Sequence, residues 1–418
     1  MASFSIPLTG LEADSTQLNT IANNLSNMST TAFKSQTTSF EDLFYQQVGT
    51  SGSKDPVLSG QGVKVAANST NFTQGSVNTT GVASDVALTG NGFFVVNNGG
   101  TNEYTRAGNF QTDQNGNLIT ADGLQVMGYP ATNGVVNTNA PLTGIQIPVG
   151  ATESPNATSQ FSLNMNLDSN AAVGTVVPAQ VTVYDSLGNS HVATVTLTKA
   201  STNTWDYNIS LPAGDYTGAA TNNTGTLTFN SSGQLVAPAV AAPPATPNSA
   251  LPVTSFAGLA DGASNMGFTW DLFDANGNPQ LTQVASGSAV ASTAQNGYAS
   301  GSYQGFSVGP DGTVSVQFSN GQTQSVGQLA VATVNNLQGL EQVGGNNYAA
   351  TLASGQATVG VAGIGGRGTI EGGALEQSNV NISTEFSNLI VAQSAYQANA
   401  KSITTFDTIE QATINMIR

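Results

Sequence analysis

Apolar residues recur at a spacing of seven near both ends of this 418-residue chain, and this repeat constrains the fold more than any other feature. Such a repeat places the apolar side chains on one stripe of an α-helix and is typical of helices that pack lengthwise against other helices. The N-terminal stripe consists of Leu11, Leu18, Ile21, Leu25 and Met28. The C-terminal stripe consists of Ile382, Phe386, Leu389, Tyr396, Ile403, Ile414 and Ile417. The pattern therefore predicts one helix at each end of the chain.

These two helices could bury their apolar stripes in different ways. Each could lie on the protein's own core, as an ordinary amphipathic helix does. Alternatively, the two could pair with each other and with neighbouring copies of the chain as a coiled coil. No Gly or Pro interrupts residues 380–418, so the C-terminal helix can run unbroken through this whole segment.

Short β-strand patterns fill the chain between the predicted helices. The predicted strands are Phe93–Val96, Val181–Tyr184, Val192–Leu197, Leu227–Phe229, Val314–Phe318 and Leu329–Val334. They are apolar or β-branched runs bounded by Gly, Asn or Asp, as strands between turns are. A recurring Asp-x-x-Gly-Asn sequence, at Asp113–Asn117, Asp185–Asn189 and Asp274–Asn278, predicts tight turns. In these turns Asp caps the backbone and Gly takes a positive φ angle.

Breaks in the strand pattern indicate how the chain is divided. The Pro-containing stretch 141–155 and the Pro/Ala-rich stretch 237–252 interrupt it. We predict a multidomain protein with terminal α-helices in a coiled-coil inner domain and nested all-β outer domains, sandwich-like or barrel-like. The predicted parts are a terminal coiled-coil domain (1–30 plus 380–418), a connecting segment with extended or β structure (31–75 plus 358–379), an inner β domain (76–150 plus 286–357) and an outer β domain (151–285).

Composition excludes several classes of function. The chain has 8 Lys and Arg against 24 Asp and Glu, so it has few cations with which to bind nucleic acid. It has no cysteine, which rules out disulfides and thiolate metal sites. No apolar run is long enough to insert in a membrane. A surface this poor in charge suits a protein that packs against copies of itself, because buried unpaired charges are costly.

Motifs that could carry chemistry are weak, and the sequence predicts no enzyme, no cofactor and no metal. His191, the one histidine, is predicted to face solvent from a strand that follows a turn. Gly363–Gly368 matches Gly-x-Gly-x-x-Gly, but no helix pattern follows it, as a dinucleotide site would require. The Asp-x-x-Gly-Asn turns lack the full ligand set of a calcium loop.

Several segments together resemble the bacterial flagellar rod and hook proteins. The N-terminal signature of that family is matched in Ala22–Lys34 by Asn23, Asn24, Asn27, Thr30, Phe33 and Lys34. Ala32 stands where the family more often has Gly, a change expected only to stiffen the bend there. Gly90–Val96 and Tyr104–Tyr129 resemble its β-domain signatures, and Gly372–Ile409 resembles its C-terminal signature. The segments Thr269–Gln283, Gln295–Ala332 and Asn335–Thr351 are similar to hook members in particular.

The resemblance implies a structural subunit rather than a catalyst. Hook members of the family assemble into a curved hollow helical tube, a universal joint that transmits torque from rod to filament. The implied partners are other copies of the chain, the distal rod protein, the hook cap protein, the hook–filament junction protein and the flagellar type III export apparatus. The implied location is the extracellular hook of the flagellum, reached without a cleaved signal peptide.

Two other functions remain as alternatives. A distal flagellar rod protein is the first, and a secreted adhesin from outside the flagellum is the second. For the hook subunit, we expect the terminal helices to be disordered before assembly and to fold when the subunit joins the tube. Trypsin is then expected to cut the monomer early at Lys34 and Lys401 and to spare Lys199.

Overall fold

The computed structural model describes residues 5–50, 56–239 and 251–416, and its α-helices lie at the two ends of that range. Helix α1 spans Ser5–Ser26 and helix α2 spans Ile382–Met416. Asn381 caps α2, because its Oδ1 accepts hydrogen bonds from the backbone N–H groups of Ser383 (3.0 Å) and Thr384 (3.2 Å). The predicted helices are confirmed. Ile417 and most of the Pro/Ala-rich stretch 237–252 lie outside the described residues.

The strands between the helices follow in chain order. The first are β1 (Gln36–Asp42), β2 (Tyr45–Thr50), β3 (Pro56–Gly60), β4 (Val63–Thr70), β5 (Val77–Thr79), β6 (Val86–Thr89), β7 (Phe93–Asn98), β8 (Thr101–Thr105), β9 (Gln111–Thr112), β10 (Leu118–Ile119), β11 (Gln125–Thr132), β12 (Val135–Val136) and β13 (Thr143–Gly144). Next come β14 (Thr152–Glu153), β15 (Gln160–Asp168), β16 (Val176–Tyr184), β17 (Ser190–Ser201), β18 (Thr204–Ser210), β19 (Ala220–Thr221), β20 (Thr224–Phe229), β21 (Leu235–Ala237), β22 (Thr254–Phe256), β23 (Met266–Asp271), β24 (Leu281–Val284) and β25 (Ala289–Gln295). The last are β26 (Gly301–Val308), β27 (Thr313–Phe318), β28 (Thr323–Leu329), β29 (Val331–Thr333), β30 (Glu341–Gly344), β31 (Asn347–Ala349), β32 (Thr358–Gly360), β33 (Thr369–Gly372) and β34 (Ala374–Glu376).

Within its described residues the chain divides into two compact units. Unit 1 comprises Met1–Val149, Gly305–Gln317 and Thr323–Arg418. Unit 2 comprises Gly150–Gln304 and Phe318–Gln322, so its residues are inserted in sequence between segments of unit 1. The finer division into four domains stays a prediction.

The main sheet of unit 1 is built around β7. Strands β27, β28, β11, β7, β8, β31 and β30 are neighbours in that order. All four residues of Phe93–Val96 are buried, which explains why this strand reads as a continuous apolar run rather than an alternating one. On one face Phe93 packs with Tyr348, and on the other Phe94 packs edge-on against Phe110 at 5.2 Å between ring centroids.

Unit 2 contains two sheets that share one hydrophobic core. One sheet has the order β19-β22-β23-β15-β24, with β25 also paired to β15, and the other has the order β16-β17-β18-β20-β21. Tyr207 from the second sheet packs edge-on against Trp270 from the first, with ring centroids 5.5 Å apart. Trp205 Nε1 donates a hydrogen bond to Gln283 Oε1 (3.0 Å), again from one sheet to the other. The core therefore joins the two sheets through large aromatic side chains.

The strand and turn predictions are confirmed, with one refinement. The run predicted as a single strand at Leu329–Val334 is two strands, because β28 ends at Leu329 and β29 begins at Val331. In the turn at Asp113, Oδ1 accepts hydrogen bonds from the backbone N–H groups of Asn115 and Asn117, both at 2.8 Å. Gly116 in this turn has a φ of +80°, as predicted. The other two Asp-x-x-Gly-Asn turns have the same bonds.

The prediction that His191 faces solvent is wrong, since only 8% of its surface is exposed. His191 belongs to the inward-facing set of alternating residues on β17, together with Ala193 and Val195. Its ring nitrogens face the carboxylates of Asp185 and Asp215. Burial lowers the pKa of His191, but hydrogen bonds with Asp215 and Asp185 outweigh this effect, and the pKa lies above its ordinary 6.5.

The Gly363–Gly368 segment has no nucleotide-site context, because strand β33 follows it rather than a helix. Neither α1 nor α2, the helices of the described residues, is both long and apolar enough to cross a membrane.

Candidate assembly surface

Helices α1 and α2 of unit 1 pack against each other in an antiparallel arrangement. Asn24 near the end of α1 donates a hydrogen bond to Glu385 at the start of α2 (3.2 Å). Further along α2, Asn399 Nδ2 donates a hydrogen bond to Asp14 Oδ2 of α1 (2.8 Å). A Cβ at Gly10 would lie 2.7 Å from Asn399 Nδ2, so the absence of a side chain at Gly10 permits this close approach. The contacts join the two ends of the sequence into one helical pair.

A large part of α2 is left uncovered by this pairing. Among its described residues only Ala392 is buried, although the helix is 35 residues long. The surface that we call the α2 apolar surface consists of the exposed residues Ile382, Phe386, Ile390, Val391, Tyr396, Ile409, Ile414 and Met416. These side chains lie on more than one side of the helix, and so many exposed large apolar side chains on one helix indicate contacts with other protein chains.

The predicted C-terminal stripe is divided between two environments. Leu389 and Ile403 are half-buried. Ile382, Phe386, Tyr396 and Ile414 are exposed and belong to the α2 apolar surface. Ile390 and Val391, each 65% exposed, were not in the predicted stripe. Both fall outside the seven-residue repeat, so only their exposure in the folded structure identifies them as part of this surface.

The predicted N-terminal stripe is covered more fully. Ile21 is buried, whereas Leu11, Leu18 and Leu25 are half-buried. Met28 lies beyond the last residue of α1 and is 46% exposed. The N-terminal helix therefore contributes mainly contacts within the chain, and α2 contributes most of the free apolar surface.

Asn24, a residue of the family signature, joins three elements at the end of α1. Its Oδ1 accepts from the backbone N–H of Gln36 (2.9 Å), and its Nδ2 donates to the backbone carbonyl of the same residue (2.8 Å). The amide thus pairs with the first residue of β1 as a neighbouring strand would. The same Nδ2 also reaches Glu385 on α2, and burial raises the pKa of that carboxyl group.

The other signature residues Asn23, Asn27 and Thr30 shape the exit from α1. Asn27 Nδ2 donates to the Asn23 backbone carbonyl (3.0 Å), and Thr30 Oγ1 donates to Asn27 Oδ1 (3.0 Å). Phe33 is half-buried, and its backbone carbonyl accepts from the N–H of Asn379 (3.2 Å). Side chains therefore satisfy the backbone where the helix gives way to β structure.

Lys34 forms a buried ion cluster with Glu376 and Arg106. Lys34 Nζ lies 2.6 Å from Glu376 Oε1, and Arg106 Nη1 lies 3.3 Å from Glu376 Oε2. Lys34 Nζ also donates to the Thr73 carbonyl (2.9 Å). Burial lowers the pKa of Lys34 and that of Arg106, while the carboxylate of Glu376 opposes both shifts. The cluster ties the exit of α1 to the segment that enters α2.

The burial of Lys34 bears on proteolysis of the folded chain. Lys34 is 1% exposed, so trypsin can cut there only where the terminal segment is unfolded, and early cutting of the unassembled monomer stays a prediction. Lys401 is exposed on α2, and Lys199 is 4% exposed in unit 2. Sequence reasoning identified Lys34 only as a signature residue, because Glu376 lies 342 positions away.

Ala32 has a more specific effect than stiffening a bend. It is buried and has a φ of +55°, in the left-handed region that favours Gly. Its N–H donates to the Glu376 backbone carbonyl (2.8 Å), next to the buried ion cluster. The chain therefore holds a strained backbone at the point where its two terminal segments meet.

A second exposed apolar surface lies on the antiparallel pair β2–β3. Phe44, immediately before β2, is 76% exposed, and Tyr45, Val48 and Leu58 are each more than half exposed. The sequence indicated only an extended connecting segment here. The signal in the sequence is the group of bulky apolar residues Phe44, Tyr45 and Val48 within that segment.

Sequence models of four related families match most of the chain. One described as "Flagella basal body rod protein" matches residues 7–34, and one described as "Flagellar hook protein FlgE/F/G D1 domain" matches residues 87–159. One described as "Flagellar basal body protein FlaE D2 domain" matches residues 177–298. One described as "Flagellar basal body rod FlgEFG protein C-terminal" matches residues 371–416.

Curated relatives match over the full length. The chain is 37% identical to the flagellar hook protein FlgE of Escherichia coli, with 99% of each chain covered. It is 30% identical to FlgE of Treponema pallidum, with 100% of each chain covered. In fold it is similar to the crystal structure of Helicobacter pylori flagellar hook protein FlgE2, with a TM-score of 0.53 at 13% identity over 70% of this chain and 99% of that one. The chain belongs to the flagellar hook protein FlgE family.

Proposed function

We propose that this chain is the structural subunit of a bacterial flagellar hook, a curved hollow helical tube that acts as a universal joint between rod and filament. The observation that carries the proposal is the full-length similarity to flagellar hook proteins. The uncovered apolar surface of α2 supports it, because a subunit of a polymer must leave apolar surface for its neighbours.

The terminal helices are the main assembly element in this proposal. Neighbouring copies cover the α2 apolar surface with their own terminal helices, which completes a coiled-coil inner layer. Fully burying a large apolar side chain contributes about 1.5–3 kcal/mol, so completing the burial of half-exposed residues contributes about 1 kcal/mol each. Phe386 and Ile390, at 53% and 65% exposed, are the central contacts.

The outer β structure provides the surfaces that move as the tube bends. Bending requires contacts that exchange readily, and uncharged polar side chains form such contacts without the desolvation cost of ion pairs. Only 8% of the chain is Asp, Glu, Lys or Arg, which supports this role for its surface.

The partners follow from the position of a hook. They are other copies of the chain, the distal rod protein at one end, and the hook cap protein followed by the hook–filament junction protein at the other. Delivery is through the flagellar type III export apparatus without cleavage of the N-terminus, and the final location is extracellular. The exposed apolar side chains of α2 support a helix that completes its packing only after export.

Immunogold electron microscopy of flagella extracted from the source bacterium tests the proposal. The antibody is raised against residues 155–265, which lie in unit 2. We expect gold on a short curved segment between rod and filament. Gold on the straight shaft would favour a distal rod protein instead. Gold on the cell surface beside unlabelled flagella would overturn the flagellar assignment.

A further inference from the structure

Three loops of unit 2 bring carboxylates together around the one histidine of the chain. Asp185 and His191 flank the turn between β16 and β17, Asp215 precedes β19, and Asp261 lies between β22 and β23. The side chains of Asp185 and His191 are 0% and 8% exposed, while those of Asp215 and Asp261 are 30% and 28% exposed. The cluster is thus largely buried but open to solvent on one side.

One ring nitrogen of His191 has a firm partner. Nδ1 lies 2.9 Å from Asp215 Oδ2, a length typical of a charge-assisted hydrogen bond. A carboxylate that accepts from one imidazole nitrogen fixes the ring and leaves the other nitrogen available as a ligand, as happens beside protein-bound metals.

The other ring nitrogen faces two carboxylates at longer distances. His191 Nε2 lies 3.3 Å from Asp185 Oδ2 and 3.6 Å from Asp261 Oδ2. Charge-assisted N–H···O bonds are about 2.7–2.9 Å long, so the hydrogen bond to Asp185 is a long one, and Asp261 lies beyond hydrogen-bond distance. Two ligands of a tetrahedral ion, each at about 2.0–2.1 Å from it, lie about 3.3 Å apart. All three ligand atoms lie within 4.8 Å of one another.

Charge favours a cation at this position. Three carboxylates surround one imidazole, and the sequence has no Lys or Arg between Lys199 and Arg367. Lys199 is itself engaged, since its Nζ donates to the Ser169 carbonyl. A partly buried group of like charges is unfavourable unless a cation compensates it.

Asn189 provides a polar group that already bridges the two carboxylates. Its Nδ2 lies 3.3 Å from Asp185 Oδ2 and 3.0 Å from Asp261 Oδ2. Rotating this amide by half a turn would present Oδ1 in the same place, which would supply a fourth ligand or leave that position to water.

We propose that Asp185, His191 and Asp261 bind one divalent transition-metal ion of the Zn²⁺ class, with Asp215 positioning the imidazole. A set of two carboxylates and one imidazole, with carboxylate oxygens 3.3 and 3.6 Å from Nε2, suits this class. The ion ties the β16–β17 turn to the loop that carries Asp261. The proposal concerns unit 2 alone and does not depend on the hook function.

Zn²⁺ titration of the untagged, chelator-treated full-length chain by calorimetry tests the proposal. A tag must be absent because it would add histidines to a chain that has one. We expect one Zn²⁺ per chain, and a visible spectrum of tetrahedral Co²⁺ when Co²⁺ replaces it. Asp215→Asn should weaken binding about 10- to 100-fold, as loss of a positioning carboxylate does.

The sharpest variant is Asp185→Asn, because it removes a ligand charge and keeps the turn. Asn230 in the same unit already caps such a turn, and its Oδ1 accepts from the N–H groups of Ser232 and Gln234, both at 2.9 Å. The matched control is Asp274→Asn, in a turn of the same sequence with no histidine. Loss of binding in Asp185→Asn but not in Asp274→Asn supports the site. Absence of Zn²⁺ binding to the unmodified chain, or equal loss in both variants, overturns the proposal. In that case a protonated His191 holds the carboxylates together instead of a metal ion.

Discussion

At the scale of single residues, polar side chains in this protein replace backbone partners. Asn24 pairs with the backbone of Gln36 through both the oxygen and the nitrogen of its side-chain amide. Asn379 donates to the carbonyls of Asn71 and Thr73 and accepts from the N–H of Ser35. Both act where the chain passes between helix and strand, and an unpaired buried amide at such a place would cost about 1–3 kcal/mol.

Replacing Lys34 tests the buried ion cluster. Lys34→Met should lower the free energy of unfolding by about 3–5 kcal/mol, because Glu376 loses its closest cation in a buried position. The control is Lys64→Met. Lys64 pairs with Glu41 at 2.6 Å, but both side chains are about half exposed, so the loss should stay below about 1 kcal/mol. Urea unfolding measures both, and equal losses would contradict the role given to the cluster.

Ala32 offers a test of backbone strain. In Ala32→Gly, relief of a left-handed conformation returns about 1–2 kcal/mol, which offsets the lost methyl group at about 0.8 kcal/mol and the greater entropy of unfolded Gly at about 0.5–1 kcal/mol. We therefore expect little change in the free energy of unfolding. Ala13→Gly, at a buried position within α1, lacks this relief and should cost about 1–2 kcal/mol. Similar losses at both positions, measured by urea unfolding, would contradict the strain at Ala32.

At the scale of elements, turns with one local sequence recur throughout the β structure. Hydrogen bonds from Asn117 hold the pKa of Asp113 below its ordinary 3.8, and those from Asn278 do the same for Asp274. The turn at Asn230 has the same backbone bonds with no ionisable group. Because each cap bonds within its own turn, these turns form independently of distant contacts.

The turns capped by Asp and the turn capped by Asn230 should differ in stability at low pH. A carboxylate whose pKa is lower in the folded chain than in the unfolded chain stabilises the fold at pH values above the unfolded pKa. This contribution disappears as pH falls from about 3.8 through the lower folded pKa. Amide hydrogen exchange at Asn117 and Asn278 should therefore lose protection in this range. Gln234, in the uncharged turn, serves as the control within the same sample. Equal loss of protection in all three turns would show that the carboxylates do not matter.

At the scale of the whole molecule, α2 links the single chain to its assembly. Hydrogen bonds from α1 to Glu385 and Asn399 hold its N-terminal half, yet its large apolar side chains remain exposed. The polymer proposed for this chain would bury them, so assembly rather than the fold of one subunit would set how α2 is packed.

Polar substitutions on α2 should separate assembly from folding. Phe386→Ser together with Ile390→Ser should abolish polymerisation, measured by sedimentation, and stop swimming in a strain with no other copy of the gene. The free energy of unfolding should change by less than about 1 kcal/mol, since both side chains are exposed in the single chain. Gln397→Ser, also exposed on α2, should assemble normally. A doubly substituted chain that still forms tubes would contradict the assembly role of this surface.

The sequence alone determined the features that depend on near neighbours. The helix at each end follows from the spacing of residues such as Leu18 and Leu389, and the cap at Asn381 follows from its own side chain. The turn at Asp113 bonds within five residues, so its sequence sufficed. Local hydrogen bonds and periodicity require no knowledge of distant segments.

Only the tertiary structure decided which distant residues meet. Lys34 and Glu376 are 342 positions apart, and nothing near Lys34 in sequence indicates that it will be buried beside a carboxylate. The sequence pattern predicts His191 to be a surface residue, but in the fold Asp215 and Asp261, from other loops of unit 2, lie beside its ring. Likewise, the same spacing predicts Leu389 and Phe386 equally, but in the fold Leu389 is half-buried and Phe386 is exposed. Burial and charge pairing are properties of the whole fold, because they depend on which surfaces exclude water together.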